Sequence, residues 1–194
     1  MWEKFTSLFK VPELRKRIIF TLGAIIVFRI GTHITVPGVS HQLLSDFFTQ
    51  QGGGILDFMN MFTGGALQRF SLFALGVTPY INASIIFSLL TSVVPKLKEL
   101  QQQGREGRRK ITAYTRWATV VLAIIEGAFM TSLIRGASTI TSPILFYVST
   151  VIALTTGTLF LMWLGERMTE NGIGNGISML IMIGILSRFP ASLN

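Results

Sequence analysis

Residues 55–94 read ILDFMNMFTGGALQRFSLFALGVTPYINASIIFSLLTSVV. Residues 70–94 carry no charge, and a helix of that length, at about 1.5 Å per residue, crosses a hydrocarbon core of about 30 Å with some tilt. Gly76 and Pro79 interrupt this run, and because proline lacks an N–H group we expect the helix to bend or break there. Residues 55–62 are apolar but too short to span. A short helix at membrane depth beside a broken one must be enclosed by protein or line a cavity, so the rest of the chain is expected to form its wall.

Composition places the chain among membrane proteins. Of its 194 residues, 49% are hydrophobic and 13% are charged, and the mean hydropathy is +0.56. Such values are typical of a polytopic membrane protein and exclude a soluble domain. The net charge of +8 does not indicate nucleic-acid binding, because the basic residues lie between apolar runs, where they orient the spans. The absence of cysteine excludes disulfides and thiolate metal sites within this chain.

Five apolar runs predict five membrane spans. The spans are residues 18–36, 70–94, 117–134, 143–164 and 176–189. Residues 1–17 form a predicted amphipathic cytoplasmic segment, and we expect no cleavable signal peptide there. The predicted loops and ends are an external loop at 37–69, which contains the short helix at about 55–69, cytoplasmic loops at 95–116 and 165–175, and an external end at 190–194.

Basic side chains predict how these spans are oriented. Twelve of the 17 lysines and arginines lie in residues 1–17 and 95–116. Short segments rich in lysine and arginine lie on the cytoplasmic side of a membrane. The N-terminus is therefore predicted to lie inside, and five spans then place the last residue of this chain outside.

Ionisable residues occur within the predicted spans. Arg29 and His33 lie four residues apart on one helical face, and Glu126 is a lone carboxylate in the third span. Such residues are costly in a membrane and face the bundle interior, water or a partner. We favour a positional anchor over a proton relay for the first two, and Arg29 is a candidate partner for Glu126.

Other motifs give no sign of catalysis. The sequence GIGNG at 172–176 superficially suggests a nucleotide loop, but it follows no strand, precedes no Lys-Ser/Thr pair and opens a membrane span. We interpret it as a flexible turn. His33 and His41 form no metal-binding pattern, and we find no nucleophile–base arrangement. The chain is therefore expected to have neither enzymatic activity nor a cofactor.

Several short motifs, taken together and in order, indicate a resemblance to one protein family. They are PELRKR at 12–17, FRIG at 28–31, VPG at 36–38, FTGGAL at 62–67, TPYINASII at 78–86, GRRKI at 107–111, WLGER at 163–167 and GIGNGIS at 172–178. In this order they resemble the SecY family, the central subunits of the bacterial Sec translocon. Members of that family have ten spans in two inverted five-helix halves, and this chain is similar to the N-terminal half. The resemblance implies an all-α polytopic fold with five transmembrane helices and a short re-entrant plug helix, half of a ten-helix inverted-repeat channel.

The resemblance also implies roles for individual residues. The plug comprises Ile55, Leu56, Asp57, Phe58, Met59, Asn60, Met61 and Phe62. The pore ring comprises Val77, Ile81 and Ile181, with Ile177 as a near neighbour. The lateral gate edge comprises Asn82, Ile85 and Leu89, and the residues that face cytoplasmic partners are Arg105, Arg108, Arg109 and Lys110. A ring of branched aliphatic side chains resists ions by dewetting, although the same residues in an ordinary bundle would simply pack its core. Glu126 and Ser88 stand where the resemblance leads us to expect glutamine.

The function implied by the resemblance is a protein-conducting channel in the bacterial plasma membrane. Such a channel translocates unfolded secretory proteins and inserts hydrophobic segments sideways into the bilayer. The implied partners are SecE, SecG, the SecA ATPase or the ribosome, signal peptides, nascent chains and the missing C-terminal half, without nucleic-acid specificity. An alternative is half of a secondary transporter or ion channel with a broken-helix substrate site, in which Arg29, His33 and Glu126 bind ions. A third is a fragment that is inert without the other half.

Overall fold

The computed structural model describes residues 11–40, 42, 44, 60–134 and 142–188. In this part of the chain the regular structure is helical, apart from an isolated β-bridge between Thr35 and Ser71. Six helices lie wholly within it: α1 (Pro12–Gly31), α2 (Thr78–Val93), α3 (Pro95–Gln102), α4 (Arg105–Leu133), α5 (Pro143–Asn171) and α6 (Gly176–Arg188). Four segments that bear on the predictions lie outside the described residues: 1–10, most of the predicted plug at 55–59, 135–141 and the end at 189–194.

Four of the six helices have a proline at their first or second residue. Pro12, Pro79, Pro95 and Pro143 occupy the first or second position of α1, α2, α3 and α5. The first-turn N–H groups of a helix have no intrahelical partner, so proline loses nothing there, and its fixed φ suits the helix. These starts are therefore set by the local sequence.

The helix predicted over residues 70–94 is shorter than expected, because α2 begins only at Thr78. Gly76 has a φ of 59°, a left-handed conformation that ends regular structure on its N-terminal side. Residues 70–77 form turns instead, and their backbone groups still find partners: the Phe70 carbonyl accepts from the Val36 N–H at 3.0 Å, and the Leu72 N–H donates to Ile34 at 2.8 Å. Non-helical backbone at membrane depth requires such pairing.

Three other predicted boundaries also differ from the helices. The basic stretch 95–116 is helical over most of its length, in α3 and the start of α4, and the loop at 165–175 shrinks to 172–175 because α5 continues to Asn171. Arginine, lysine, glutamate and glutamine are good helix formers, so a helix need not stop where its apolar run stops. At the other end, α1 ends at Gly31, short of the predicted limit at residue 36.

Helix length and composition support part of the predicted topology. Among the described residues, α4 and α5 are long and apolar enough to cross a membrane, and α2 with α3 passes the same test as a pair, although the two helices are bent by 99°. The apolar helix α6 is shorter. The described part thus gives two spans, or three with the bent pair, and the five-span topology stays a prediction.

The helices pack around the irregular segment that precedes α2. Helix α4 packs against α2 and α5, and α5 also packs against α1 and α6. At Gly157 in α5, a side chain would overlap the carbonyl group of Leu72. The segment is thus enclosed by helix backbone as well as by side chains.

Polar contacts gather the segments predicted as cytoplasmic at one end of the bundle. The Arg17 guanidinium of α1 donates to the Gly172 carbonyl in the α5–α6 turn at 3.0 Å. Arg116 of α4 pairs with Glu166 of α5 through two contacts, Nη2 to Oε2 at 2.8 Å and Nε to Oε1 at 2.9 Å. The start of α1, the start of α4 and the α5–α6 turn therefore lie on the same side of the molecule.

Candidate pore constriction and gate edge

The four residues predicted for the pore ring belong to one apolar cluster. Val77 is buried in it, and Ile81, Ile177 and Ile181 are partly buried against it. The buried members of the cluster are Ala24, Phe28, Ala66, Phe73, Val77, Leu161, Leu164, Met168 and Leu180. The structure thus brings α2 and α6 side chains together, although about a hundred residues separate them in the chain.

A small cavity of about 20 Å³ lies within this cluster. Its lining includes Val77 and Ile181 from the predicted ring, and Phe62 and Thr63 from the end of the predicted plug and the residue after it. The other lining residues are Phe28, Gly76, Leu161 and Leu180. A cavity of this size holds one water molecule at most, and a cavity with apolar walls stays dry. Phe62 therefore lines the same cavity as the two predicted ring residues, Val77 and Ile181.

Local geometry places the α2 side chains in the cluster. Val77 is the residue immediately before α2, and its carbonyl accepts from the Ile81 N–H at 3.1 Å. Residues four apart share one helical face. Because the turn at Gly76 fixes where the helix begins, it also fixes the direction in which Val77 and Ile81 point.

The start of α6 is fixed by its own capping residues. Asn175 Oδ1 accepts from the N–H groups of Ile177 at 3.1 Å and Ser178 at 3.2 Å, and Thr169 Oγ1 accepts from the Gly176 N–H at 2.9 Å. These bonds occupy donors that a phosphate would need at a helix start. The GIGNG sequence is therefore a helix-capping turn that orients α6, in agreement with its interpretation as a turn.

The predicted gate edge lies on an exposed face of α2. Ile85 is 53% exposed and Leu89 is 63% exposed. Asn82 is also exposed, and its Nδ2 donates to Glu126 Oε1 of α4 at 3.0 Å. Glu126 therefore pairs with Asn82, and no ion pair to the candidate partner Arg29 exists among the described residues. This hydrogen bond links the gate edge to the neighbouring helix.

The residues predicted to face cytoplasmic partners lie on the first turns of α4. Arg105, Arg108, Arg109 and Lys110 are all exposed. They follow the right-angled turn between α2 and α3, at the end of the bundle that carries Arg17 and Glu166. Four exposed cations at one helix start form a surface suited to an acidic partner.

Sequence reasoning missed the contacts that join distant residues. The paired side chains of Arg116 and Glu166, and the approach of Phe62 to Ile181, link residues 50 or more positions apart. No local pattern marks such pairs. The motifs WLGER at 163–167 and FTGGAL at 62–67 mark the positions of Glu166 and Phe62, but they do not identify the residues that these side chains approach.

Comparison with known proteins assigns the chain to a family. The SecY family model matches residues 71–194. The protein translocase subunit SecY of Thermotoga maritima is 48% identical over 98% of this chain and 47% of its own length, and that of Escherichia coli K12 is 47% identical over 93% of this chain and 42% of its own length. The chain therefore spans less than half the length of these relatives.

Solved structures agree at the level of the fold. A structure described as a protein conducting channel matches 93% of this chain with a TM-score of 0.67 at 21% identity, over 40% of its own length. A second, described by the role of the SecY plug domain in stabilising the closed channel and maintaining a membrane seal, matches 91% with a TM-score of 0.65, over 38% of its own length. With the family model matching well over half of its residues, the chain belongs to the SecY family.

Proposed function

We propose that this chain forms the N-terminal half of a protein-conducting channel, which passes unfolded secretory proteins across the bacterial plasma membrane and releases hydrophobic segments sideways into it. One observation carries the proposal: Val77 and Ile181, which are distant in sequence, line one small and mainly apolar cavity together with Phe62. An apolar constriction resists ions by dewetting. It widens around any polypeptide, because apolar contacts are non-directional and select no sequence.

The proposal includes a plug, a gate and an orientation. Residues 55–62 form the plug, the ring comprises Val77, Ile81 and Ile181 with Ile177 beside it, and the exposed face of α2 forms one gate edge. Five spans, α1, α2, α4, α5 and α6, place the N-terminus in the cytoplasm and the end of this chain outside. The common location of Arg17, Arg116 and the α5–α6 turn at one end of the bundle supports this orientation.

The proposed partners follow from the family and from the exposed surfaces. The exposed apolar face of α2 faces the C-terminal half, signal peptides and lipid. The cations at Arg105, Arg108, Arg109 and Lys110 face a cytoplasmic motor or the ribosome. SecE, SecG and SecA are proposed as further partners, and one structural neighbour is described as Sec61 in a ribosome-channel complex.

The transporter alternative is not favoured by these relatives, and its three candidate ion-binding residues do not come together among the described residues. Arg29 and His33 interact with each other, since the His33 Nδ1 lies 2.8 Å from the Arg29 carbonyl oxygen. Glu126 bonds to Asn82 instead. In the part of the chain that is described, no three acidic or histidine side chains are grouped to hold a metal ion.

Complementation tests the proposed function directly. The chain is co-expressed with the C-terminal half of the Escherichia coli relative in cells depleted of their own SecY, and export of a secreted reporter is measured. We expect export from the pair and none from either half alone, because neither half encloses a pore. Absence of export although both halves are inserted and associated would contradict a channel half and favour the inert fragment.

Glu126→Gln separates the channel from the transporter. The glutamine side chain can accept the same hydrogen bond from Asn82, so we expect reporter export within about twofold of the parent. A transporter that binds ions through Glu126 loses its activity instead. Glu126→Leu, which removes the acceptor, serves as the matched control for the hydrogen bond. Loss of export in Glu126→Gln with normal insertion would show that the charge itself is needed.

A further inference from the structure

We propose that Gly76 and Gly184 form a slot that seats the chain leaving the plug against the pore ring, and that Gly184 is thereby a positioning residue for the seal. This inference rests on the proposed function and adds to it a contact that holds the plug closed. The seated segment comprises residues 62–64, which follow the predicted plug. It lies between the turn before α2 and the middle of α6.

One wall of the slot is the backbone of α6 at Gly184. A Cβ atom at this position would lie 2.5 Å from the Phe62 carbonyl oxygen, and one at Gly64 would lie 3.2 Å from the Cα of Gly184. Both distances are below ordinary van der Waals contact, and the atoms involved belong to the backbone. A side chain at 184 therefore moves the segment, because a backbone carbonyl cannot rotate aside as a side chain does.

The second wall of the slot is the turn at Gly76. A Cβ atom there would lie 3.3 Å from Thr63 Cγ2. Thr63 is buried, its hydroxyl donates to the Asn60 carbonyl at 3.2 Å, and the same oxygen accepts from the Leu67 N–H at 3.3 Å. The seated segment is thus stiffened by its own hydrogen bonds and fits the slot as a unit.

The slot adjoins the ring on both sides. Gly76 directly precedes Val77, and Gly184 lies one turn after Ile181 in α6. Phe62 and Thr63 line the same small cavity as these two ring residues. A segment displaced from α6 therefore takes Phe62 away from the constriction and leaves the cavity open on that side.

The choice of glycine within α6 supports the slot. Glycine inside a helix costs about 1 kcal/mol relative to alanine, and at Gly184 the Phe62 carbonyl occupies the space that the alanine methyl group would need. Gly23 in α1 provides a matched control, since nothing lies within 4 Å of a Cβ placed there.

Cysteine cross-linking measures whether residues 62–64 stay in the slot, and it does so independently of transport. The chain has no cysteine, so Phe62→Cys and Leu180→Cys, two positions on the same cavity, report on their separation when the chain is joined to a cysteine-free C-terminal half of a SecY relative. We expect Gly184→Ala to lower the cross-linking yield roughly fivefold, as an overpacking cost of about 1 kcal/mol would do, and Gly184→Val to lower it further. Gly23→Ala leaves the yield unchanged.

Ion conductance across vesicles tests the consequence for the seal. Without the added cysteines, we expect Gly184→Ala and Gly184→Val to raise conductance in the same order, at insertion and protease resistance equal to the parent. Unchanged cross-linking in both variants would overturn the proposal that Gly184 holds residues 62–64 in the slot. Reduced cross-linking without increased conductance overturns its role in the seal. Failure of the proposed function is distinguishable, because it appears as absent export in the unsubstituted chain.

Discussion

Replacing Gly157 by alanine is expected to destabilise the folded chain, although alanine is the better helix former. In the interior of α5 the exchange gains about 1 kcal/mol of helix propensity. Against this, the added methyl group would overlap the carbonyl of Leu72, and overpacking a tight contact costs about 1–3 kcal/mol, occasionally more. Because the obstructing atoms belong to backbone that is itself bonded to Ile34, the upper part of that range applies. We expect a net loss of about 2 kcal/mol in the free energy of unfolding.

Unfolding of the purified protein in detergent by a denaturant titration measures this loss. Gly23→Ala is the control, since it has the same chemistry at a helical site with open space around it, and it is expected to stabilise by about 0.5–1 kcal/mol. The two variants should thus move the midpoint of the denaturant titration in opposite directions. If the Gly157→Ala protein has the same free energy of unfolding as the Gly23→Ala protein, α5 does not pack tightly against the segment before α2.

Replacing both Val77 and Ile181 by serine is expected to make the channel leak ions. The two side chains meet at a cavity that is otherwise lined mainly by apolar groups, and a hydroxyl in a dry constriction favours water there. Burying an aliphatic side chain is worth about 1.5–3 kcal/mol. If about 1.4 kcal/mol of this burial free energy contributes to the barrier against ion passage at each position, removing it raises the ion conductance on the order of tenfold per substitution.

Conductance of vesicles that contain the assembled channel tests this expectation. Ile152→Ser is the control, because Ile152 is 60% exposed on α5 and lies outside the cluster that holds the ring residues. It should insert normally and conduct like the parent. Equal conductance in the double variant and the control, at equal insertion, would place the barrier elsewhere in the molecule.

The sequence predicted the elements that depend on neighbouring residues. The predicted interruption at Pro79 and the predicted start of a span at Pro143 follow from a missing donor and a fixed φ, and both properties are local. The apolar runs around α4 and α5 predicted membrane spans because hydropathy needs no knowledge of contacts. The ring residues came from motif positions, and their role as a ring remains a prediction even though the structure gathers them in one cluster.

Helix limits were predicted less well, for a physical reason. The span at 70–94 was expected to be helical on both sides of a bend or break at Gly76 and Pro79, yet α2 starts only at Thr78, because backbone bonds to Ile34 and Val36 hold the preceding residues in turns. The charged ends of α4 and α5 continue as helix because helical hydrogen bonding does not stop at the membrane surface. A hydropathy profile predicts which residues lie in the membrane, but it does not predict where a helix ends.

Local chemistry in the chain thus predicted the class of protein and an orientation for its spans, and it set the starts of most helices. Tertiary structure alone decided which residues meet: Asn82 with Glu126, Arg116 with Glu166, and Phe62 with Val77 and Ile181. Helix propensity and hydropathy act over a few residues. The meeting of side chains 15 to more than a hundred positions apart depends on how whole helices pack, which a single sequence does not record.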